Sequence, residues 1–232
     1  MRAGAATIVL DGDQTLWDFQ SAMVRALGET RLEIARVIDV DLADVPSIEE
    51  LIARRDRIAD TARGETLEAI RRSAFAETLA MLGHDGDDGE VDRVATFFTG
   101  RRFELCRPYH DTVPALTKLR ESYVVALLTN GNSHPERMGL RSMFDHIFIA
   151  EELGAEKPDP SVYARVAATC GGEGALGSVG DSLMNDVVAP QKAGWKAVWI
   201  NRDHRPLPQQ VNPDASLTSL EGLDIALRSI LA

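Results

Sequence analysis

Two aspartates, Asp11 and Asp13, follow the apolar run Thr7–Leu10 in the stretch TIVLDGDQT, with Thr15 close behind. A second apolar run ends in Thr129 and Asn130, and a later one ends in Asp181 and Ser182, with Asp186 a helical turn further on. Lys157 lies between these in the segment EKPDP. If these residues meet, four carboxylates, hydroxyls and an amine share one mouth. Such a set holds a hard, oxygen-seeking cation, and with no His or Cys in it Mg²⁺ is the common choice.

The residues meet only if the runs preceding them are parallel strands, because open parallel sheets bind ligands at their carboxyl ends. Five short apolar runs suit buried parallel strands: Thr7–Leu10, Tyr123–Leu128, His146–Ala150, Leu176–Val179 and Lys196–Ile200. Helical segments alternate with the later ones: Val113–Arg120, Pro160–Cys170 and Asp186–Ala193. Asp159 reads as the N-cap of the second of these, Pro160 as its first residue and Gly171-Gly172 as its end, while Gly194 stops the third. The alternation predicts an α/β fold, a doubly wound, Rossmann-like parallel sheet.

More than a hundred residues without a strand-like run separate the first two strands, too many for a loop in a compact domain. Met23, Leu27, Ile34 and Ile38 recur at helical spacing, as do Leu67, Ile70, Ala74 and Leu82. Ser47-Ile-Glu-Glu50 reads as a capping box opening a helix through Ile58, and the HDGDDG stretch at 84–89 reads as a turn. The expectation is an all-helical domain at 17–106 inserted into an α/β core made of 1–16 and 107–232. A short helix near Leu220–Leu231 closes the chain.

The bulk composition narrows the partners. A net charge of −11 argues against nucleic acid, whose backbone needs a basic face. No apolar stretch is long enough to span a bilayer and no signal peptide is evident. Cys106 and Cys170 lack metal-site spacing, so two buried thiols in a reducing cytoplasm are expected. Against 21 Arg the chain has only four Lys, which makes Lys157 the more informative. Oligomeric state is not legible in the sequence.

The motifs in this order resemble the haloacid-dehalogenase superfamily of phosphohydrolases. Asp11, Asp13 and Thr15 match its Asp-x-Asp-x-Thr motif, Thr129 its strand-terminal hydroxyl, and Lys157 with Pro158 its lysine. Gly180, Asp181, Ser182 and Asp186 match its acidic motif. The resemblance implies a Mg²⁺-dependent phosphohydrolase acting on a small phosphorylated metabolite enclosed by a helical cap. Asp11 is then the nucleophile that becomes an aspartyl-phosphate, and Asp13 the general acid and later the base. Thr129 would hold phosphate oxygens, with Thr15 and Asn130 as further substrate-binding candidates, and Lys157 would neutralise charge. Asp11, the Asp13 carbonyl, Asp181 and, through water, Asp186 would bind the metal. Cation and lysine favour ionised Asp11, whose charge in turn favours protonated Asp13.

Plainer readings exist for single residues. Asp11 alone could be a turn residue, Thr129 a satisfied strand end, Asp186 a helix-face residue and Lys157 a solvated loop lysine. Asp18 fits either a hinge or a substrate contact, and Asn130 either a substrate contact or a turn. The cap arginines Arg54, Arg55, Arg57, Arg71 and Arg72 read mostly as a solvated face, with one reaching the substrate. Gly172–Gly177 spells G-x-G-x-x-G but precedes a strand, the reverse of dinucleotide-binding context. Competing functions are a 2-haloacid dehalogenase, a phosphoglucomutase-like transferase and, outside enzymes, a receiver-like phosphate sensor. The dehalogenase needs neither metal nor an acid at the second position. A receiver places its phosphoacceptor on a later strand and has no helical insertion.

Overall fold

Short runs rich in β-branched and aliphatic residues, buried along nearly their whole length, form the centre of the sheet. In a computed structural model that describes residues 5–62, 64–84, 87–130, 132–170 and 174–232, the strands are β1 (Thr7–Leu10), β2 (Val124–Thr129), β3 (His146–Ile149), β4 (Leu176–Gly180), β5 (Lys196–Ile200) and β6 (Ala215–Leu217). All pairings are parallel and the order is β3-β2-β1-β4-β5-β6. The chain therefore builds outward from β1 on one side, returns to its other side at β4, and leaves a switch point at the central strand. In register, Leu10 lies between Leu127 and Val179.

The sixth strand was not anticipated. It is three residues long and lies in a polar, Pro-containing tail, too short to show alternation. Asp214 aligns it by exchanging hydrogen bonds with Ala197: its N–H donates to the Ala197 carbonyl, and its Oδ2 accepts from the Ala197 N–H, each at 2.9 Å.

Helices α5 (Thr112–Leu119), α6 (Ala150–Leu153), α7 (Pro160–Cys170), α8 (Ala189–Lys192) and α9 (Leu223–Ile230) accompany the sheet, numbered after the four helices of the insertion. Asp159 Oδ1 accepts from the Ser161 N–H at the start of α7. The expected Gly171-Gly172 stop lies outside the described residues. Val162, Tyr163 and Val166 of α7 pack with Val9, Ala126, Leu128 and Trp195. The helix expected from Asp186 begins earlier, as a π-helical turn over Leu183–Val188 that continues into α8.

Phe19–Cys106 forms a separate unit, and the residues up to Asp18 together with those from Arg107 form the other. Trp17 belongs to the sheet unit because its backbone bridges both Asp13 and Pro108. The insertion holds α1 (Phe19–Ile38), α2 (Ile48–Thr61), α3 (Leu67–Met81) and α4 (Asp88–Leu105). Its core joins Leu27, Ile34 and Ile38 of α1 to Phe75 and Leu79 of α3 and to Val94 and Phe98 of α4. The Ser47–Glu50 capping box is complete, and α2 runs on to Thr61 instead of stopping at Ile58. Of the expected 84–89 turn, Asp88 and Gly89 are helical instead: the Asp87 side chain caps α4 by accepting from the Gly89 N–H. Asp85 and Gly86 lie outside the described residues.

Candidate active site

The loop after β1 is compact because the chain folds back on Gly12. The Gly12 carbonyl accepts from the N–H groups of Thr15, Leu16 and Trp17, and Gln14 adopts φ 62° to let the chain turn. The Trp17 ring lies so close over Gly12 that any Cβ there would collide with it. The Asp11 N–H still reaches the Val179 carbonyl at 2.8 Å, so this residue leaves the sheet in a defined direction. Two residues on, Asp13 Oδ1 accepts from Trp17 Nε1 at 2.6 Å.

Lys157 is the centre of the site. Its Nζ donates to Asp11 Oδ1 at 2.8 Å and to Asp186 Oδ1 at 2.7 Å. All three side chains are buried, at 9% exposure or less. The lysine is held from behind by Asn130, whose Nδ2 donates to the Lys157 carbonyl and whose Oδ1 accepts from the Lys157 N–H. Asp186 is fixed in turn by Ser182, whose N–H donates to Oδ2 at 3.0 Å. Gly180 is required for this arrangement, since a Cβ on it would overlap the Asp186 carboxylate.

Asp11, Asp181 and Asp186 each offer a carboxylate oxygen within 4.8 Å of the others. Burial, and after it the neighbouring Asp11 charge, raise Asp181 to about 6 against the opposing pull of Arg205 and Lys157. Burial also raises Asp186, to about 7, where Asp11 opposes its ionisation and Lys157 favours it. For Lys157 burial disfavours the charge, but Asp11 and Asp186 outweigh it and raise its pKa above the ordinary lysine range. A group of carboxylates this crowded and desolvated is a site at which a cation is favourable. The donor set is all oxygen, which fits Mg²⁺.

A cleft of about 210 Å³ is lined by Asp11, Asp13, Thr129, Asn130, Lys157, Asp181 and Asp186, with Gln14, Ser182 and Asn185. Thr129 ends β2 and is fully buried. Thr15 is the exception among the expected site residues. It is fully enclosed and does not line the cleft, because the fold-back at Gly12 turns it inward. Asn130 both lines the cleft and clamps the Lys157 backbone. The Asp18 N–H donates to the Arg107 carbonyl, a backbone bond at the point where the chain leaves this unit.

Several residues had not been singled out. Trp17 is the partner of Asp13; the signal was a hydrogen-bond donor four residues after it and a glycine just before it. Arg205 Nη2 donates to the Asp181 carbonyl at 2.6 Å and to its Oδ2 at 3.3 Å. Arg202 grips Asp111 with both terminal nitrogens and also donates to the Thr15 carbonyl at 2.9 Å. Both arginines come from the irregular tail after β5, where no local pattern marks them.

A family model for haloacid dehalogenase-like hydrolase matches residues 5–194. N-acylneuraminate-9-phosphatase of Mus musculus is 36% identical over 170 residues, 69% of this chain and 68% of that protein. Pyrimidine 5'-nucleotidase YjjG of Escherichia coli (strain K12) is 30% identical over 142 residues. That match covers 58% of this chain and 63% of the nucleotidase, under two thirds of its length. Among solved structures, 2-haloacid dehalogenase from Pseudomonas syringae pv. Tomato DC3000 is similar with a TM-score of 0.81 at 28% identity, covering 97% of this chain and 99% of that one. No helix among the described residues is long and apolar enough to cross a membrane. On the family match over most of its length, the chain belongs to the haloacid dehalogenase-like hydrolases.

Proposed function

We propose that the protein is a Mg²⁺-dependent phosphohydrolase that removes phosphate from a small phosphorylated metabolite through an aspartyl-phosphate on Asp11. The observation that carries this reading is Lys157 Nζ bridging Asp11 and Asp186, with Asp181 alongside. Asp11, Asp181 and Asp186 would hold the ion, with the Asp13 carbonyl as a further ligand. When bound, Mg²⁺ supplies positive charge against the phosphoryl oxygens.

The chain's own groups divide the remaining work. Lys157 engages Asp11 Oδ1, which leaves Oδ2 to form the bond to phosphorus as the bond to the leaving oxygen breaks. Trp17 Nε1 donates to Asp13 Oδ1 and so orients the carboxyl that gives the leaving oxygen its proton. Asp13 then takes a proton from water, whose oxygen attacks phosphorus; inorganic phosphate leaves and Asp11 is regenerated. Thr129 and Lys157 bind the phosphate, and positioned charge is the main catalytic resource for so loose a transition state.

The named relatives that act on phosphorylated substrates, N-acylneuraminate-9-phosphatase and pyrimidine 5'-nucleotidase among them, support the substrate class. A cytoplasmic location is consistent with Cys106 and Cys170, which form no disulfide. The test is phosphate release from a panel of phosphorylated metabolites, with Mg²⁺ or EDTA, by wild type and Asp11→Asn. Turnover should need the metal and vanish in the variant; turnover that persists in EDTA or in Asp11→Asn defeats the mechanism.

Similarity to the 2-haloacid dehalogenase from Pseudomonas syringae favours a second reading, hydrolysis of a carbon–halogen bond by the same Asp11. That reaction has no use for an acid at Asp13 or for the Asp181/Asp186 pair. Halide release from 2-chloropropionate in EDTA is its signature.

A further inference from the structure

Left-handed backbone is uncommon for a residue with a Cβ, and among the described residues other than glycine only Gln14, Asp39 and His204 adopt it. Asp and His are residue types that tolerate it; a longer amide side chain is not. Gln14 holds φ 62° in the loop between Asp13 and Thr15. The turn itself asks only for main-chain atoms, since the Gln14 N–H donates to the Trp17 carbonyl at 2.8 Å. Glycine would supply that bond with less strain. Strain kept at one residue of a site points to what its side chain does there.

The side chain lines the cleft that Asp11, Asp13 and Lys157 also line. Its Nε2 donates to Tyr109 Oη at 3.5 Å, the outer limit of a hydrogen bond. Tyr109 is fixed in turn: its N–H donates to the Leu16 carbonyl, and the Arg202 guanidinium carbon lies 3.8 Å from the centre of its ring. Arg202 is anchored by its pair with Asp111. A largely buried ion pair thus stands behind the ring that orients this amide. Lys157 supplies charge for the phosphoryl group, whereas a neutral amide, able to donate and accept at once, matches a hydroxyl.

We infer that Gln14 binds the leaving alcohol and selects phosphate esters that carry a hydroxyl on the carbon next to the ester carbon. The inference rests on the phosphohydrolase reading, in which Asp13 serves the leaving oxygen; Gln14 follows Asp13 directly, and both line the cleft. The amide donates to that hydroxyl and accepts from it. The size agrees: 210 Å³ is about seven water volumes at about 30 Å³ each, room for a phosphoryl group and a two-carbon alcohol.

The probes are hydroxypropylphosphonate with a terminal hydroxyl, which has no ester bond to cleave, and propylphosphonate, which lacks only the hydroxyl. Each is titrated calorimetrically into the full chain with Mg²⁺ present. Wild type should bind the hydroxylated probe about five- to tenfold more tightly, the equivalent of one hydrogen bond. That preference should vanish in Gln14→Gly and in Gln14→Met, which keeps the length of the side chain without its amide, while propylphosphonate affinity is unchanged. Gln14→Gly should also melt no lower than wild type, because relief of the left-handed strain offsets the added freedom of its unfolded chain. A side chain that merely braced the loop would weaken both probes alike and lower the melting temperature, which overturns the inference. So does wild-type binding of both probes without preference, or a preference that survives in both variants. If neither phosphonate binds, the phosphohydrolase reading falls and this assignment with it; the other failures leave that reading standing.

Discussion

The Asn130 side chain bonds to both backbone polar atoms of Lys157, 27 residues later, at 2.7 Å each. It thus splints the loop carrying the lysine to the end of β2. Asn130→Ala leaves Lys157 in the chain but releases its backbone. Steady-state kinetics should show kcat falling about ten- to a hundredfold, the equivalent of one or two lost hydrogen bonds near a charge. A kcat within twofold of wild type would show that the packing around Lys157 positions it alone.

Trp17→Phe removes the donor to Asp13 Oδ1 while keeping a ring over Gly12. The expected result is about tenfold slower turnover, with the larger loss on substrates whose leaving oxygens are poor leaving groups, since those depend most on the proton from Asp13. A loss independent of leaving-group pKa would contradict the assignment.

Burial, with the Asp11 charge, holds the carboxyls of Asp181 and Asp186 above the ordinary aspartate pKa in the metal-free protein. A cation needs them ionised, so Mg²⁺ binding must release protons, and affinity should fall by up to about tenfold per pH unit for each proton displaced as the pH drops from 7 to 5. Calorimetry at pH 6 in buffers of different ionisation enthalpy measures the release. No dependence on buffer would mean that the ion binds without displacing protons.

Asp111 is buried against Arg202 and also accepts from the Leu220 N–H. Burial disfavours its charge, but Arg202 and the Leu220 amide more than compensate and hold its pKa below the usual value. The unfolded chain therefore takes up this proton first on acidification. The stabilisation is complete above the unfolded pKa of about 3.9 and disappears as pH falls through the folded value. Asp111→Asn should cost about 3 kcal/mol at pH 7, and denaturation curves should show that gap narrowing below pH 4. An equal gap at pH 7 and pH 3 would mean that the pair contributes nothing through its charge.

The sheet and most of its site residues were legible in the sequence because they are local: an apolar run of four to six residues, then a polar side chain at its end. Five strands and the positions of Asp11, Thr129 and Asp181 follow from that pattern together with the rule for parallel sheets, while Lys157, between two strands, stood out through the scarcity of lysine and the family motif. Three kinds of feature were not legible. The inward turn of Thr15 depends on the fold-back at Gly12, a matter of backbone conformation that residue type does not reveal. The short β6 has too few residues to show a period, and Asp214, outside the strand, sets its alignment. Arg202, Arg205 and the Asn130 clamp act across long sequence separations, so only the folded chain places them beside Asp111, Asp181 and Lys157. The sequence by itself determined which chemical groups are present and on which strand ends they stand. Tertiary structure decided which atom of each group is engaged, since that depends on neighbours brought together only by folding.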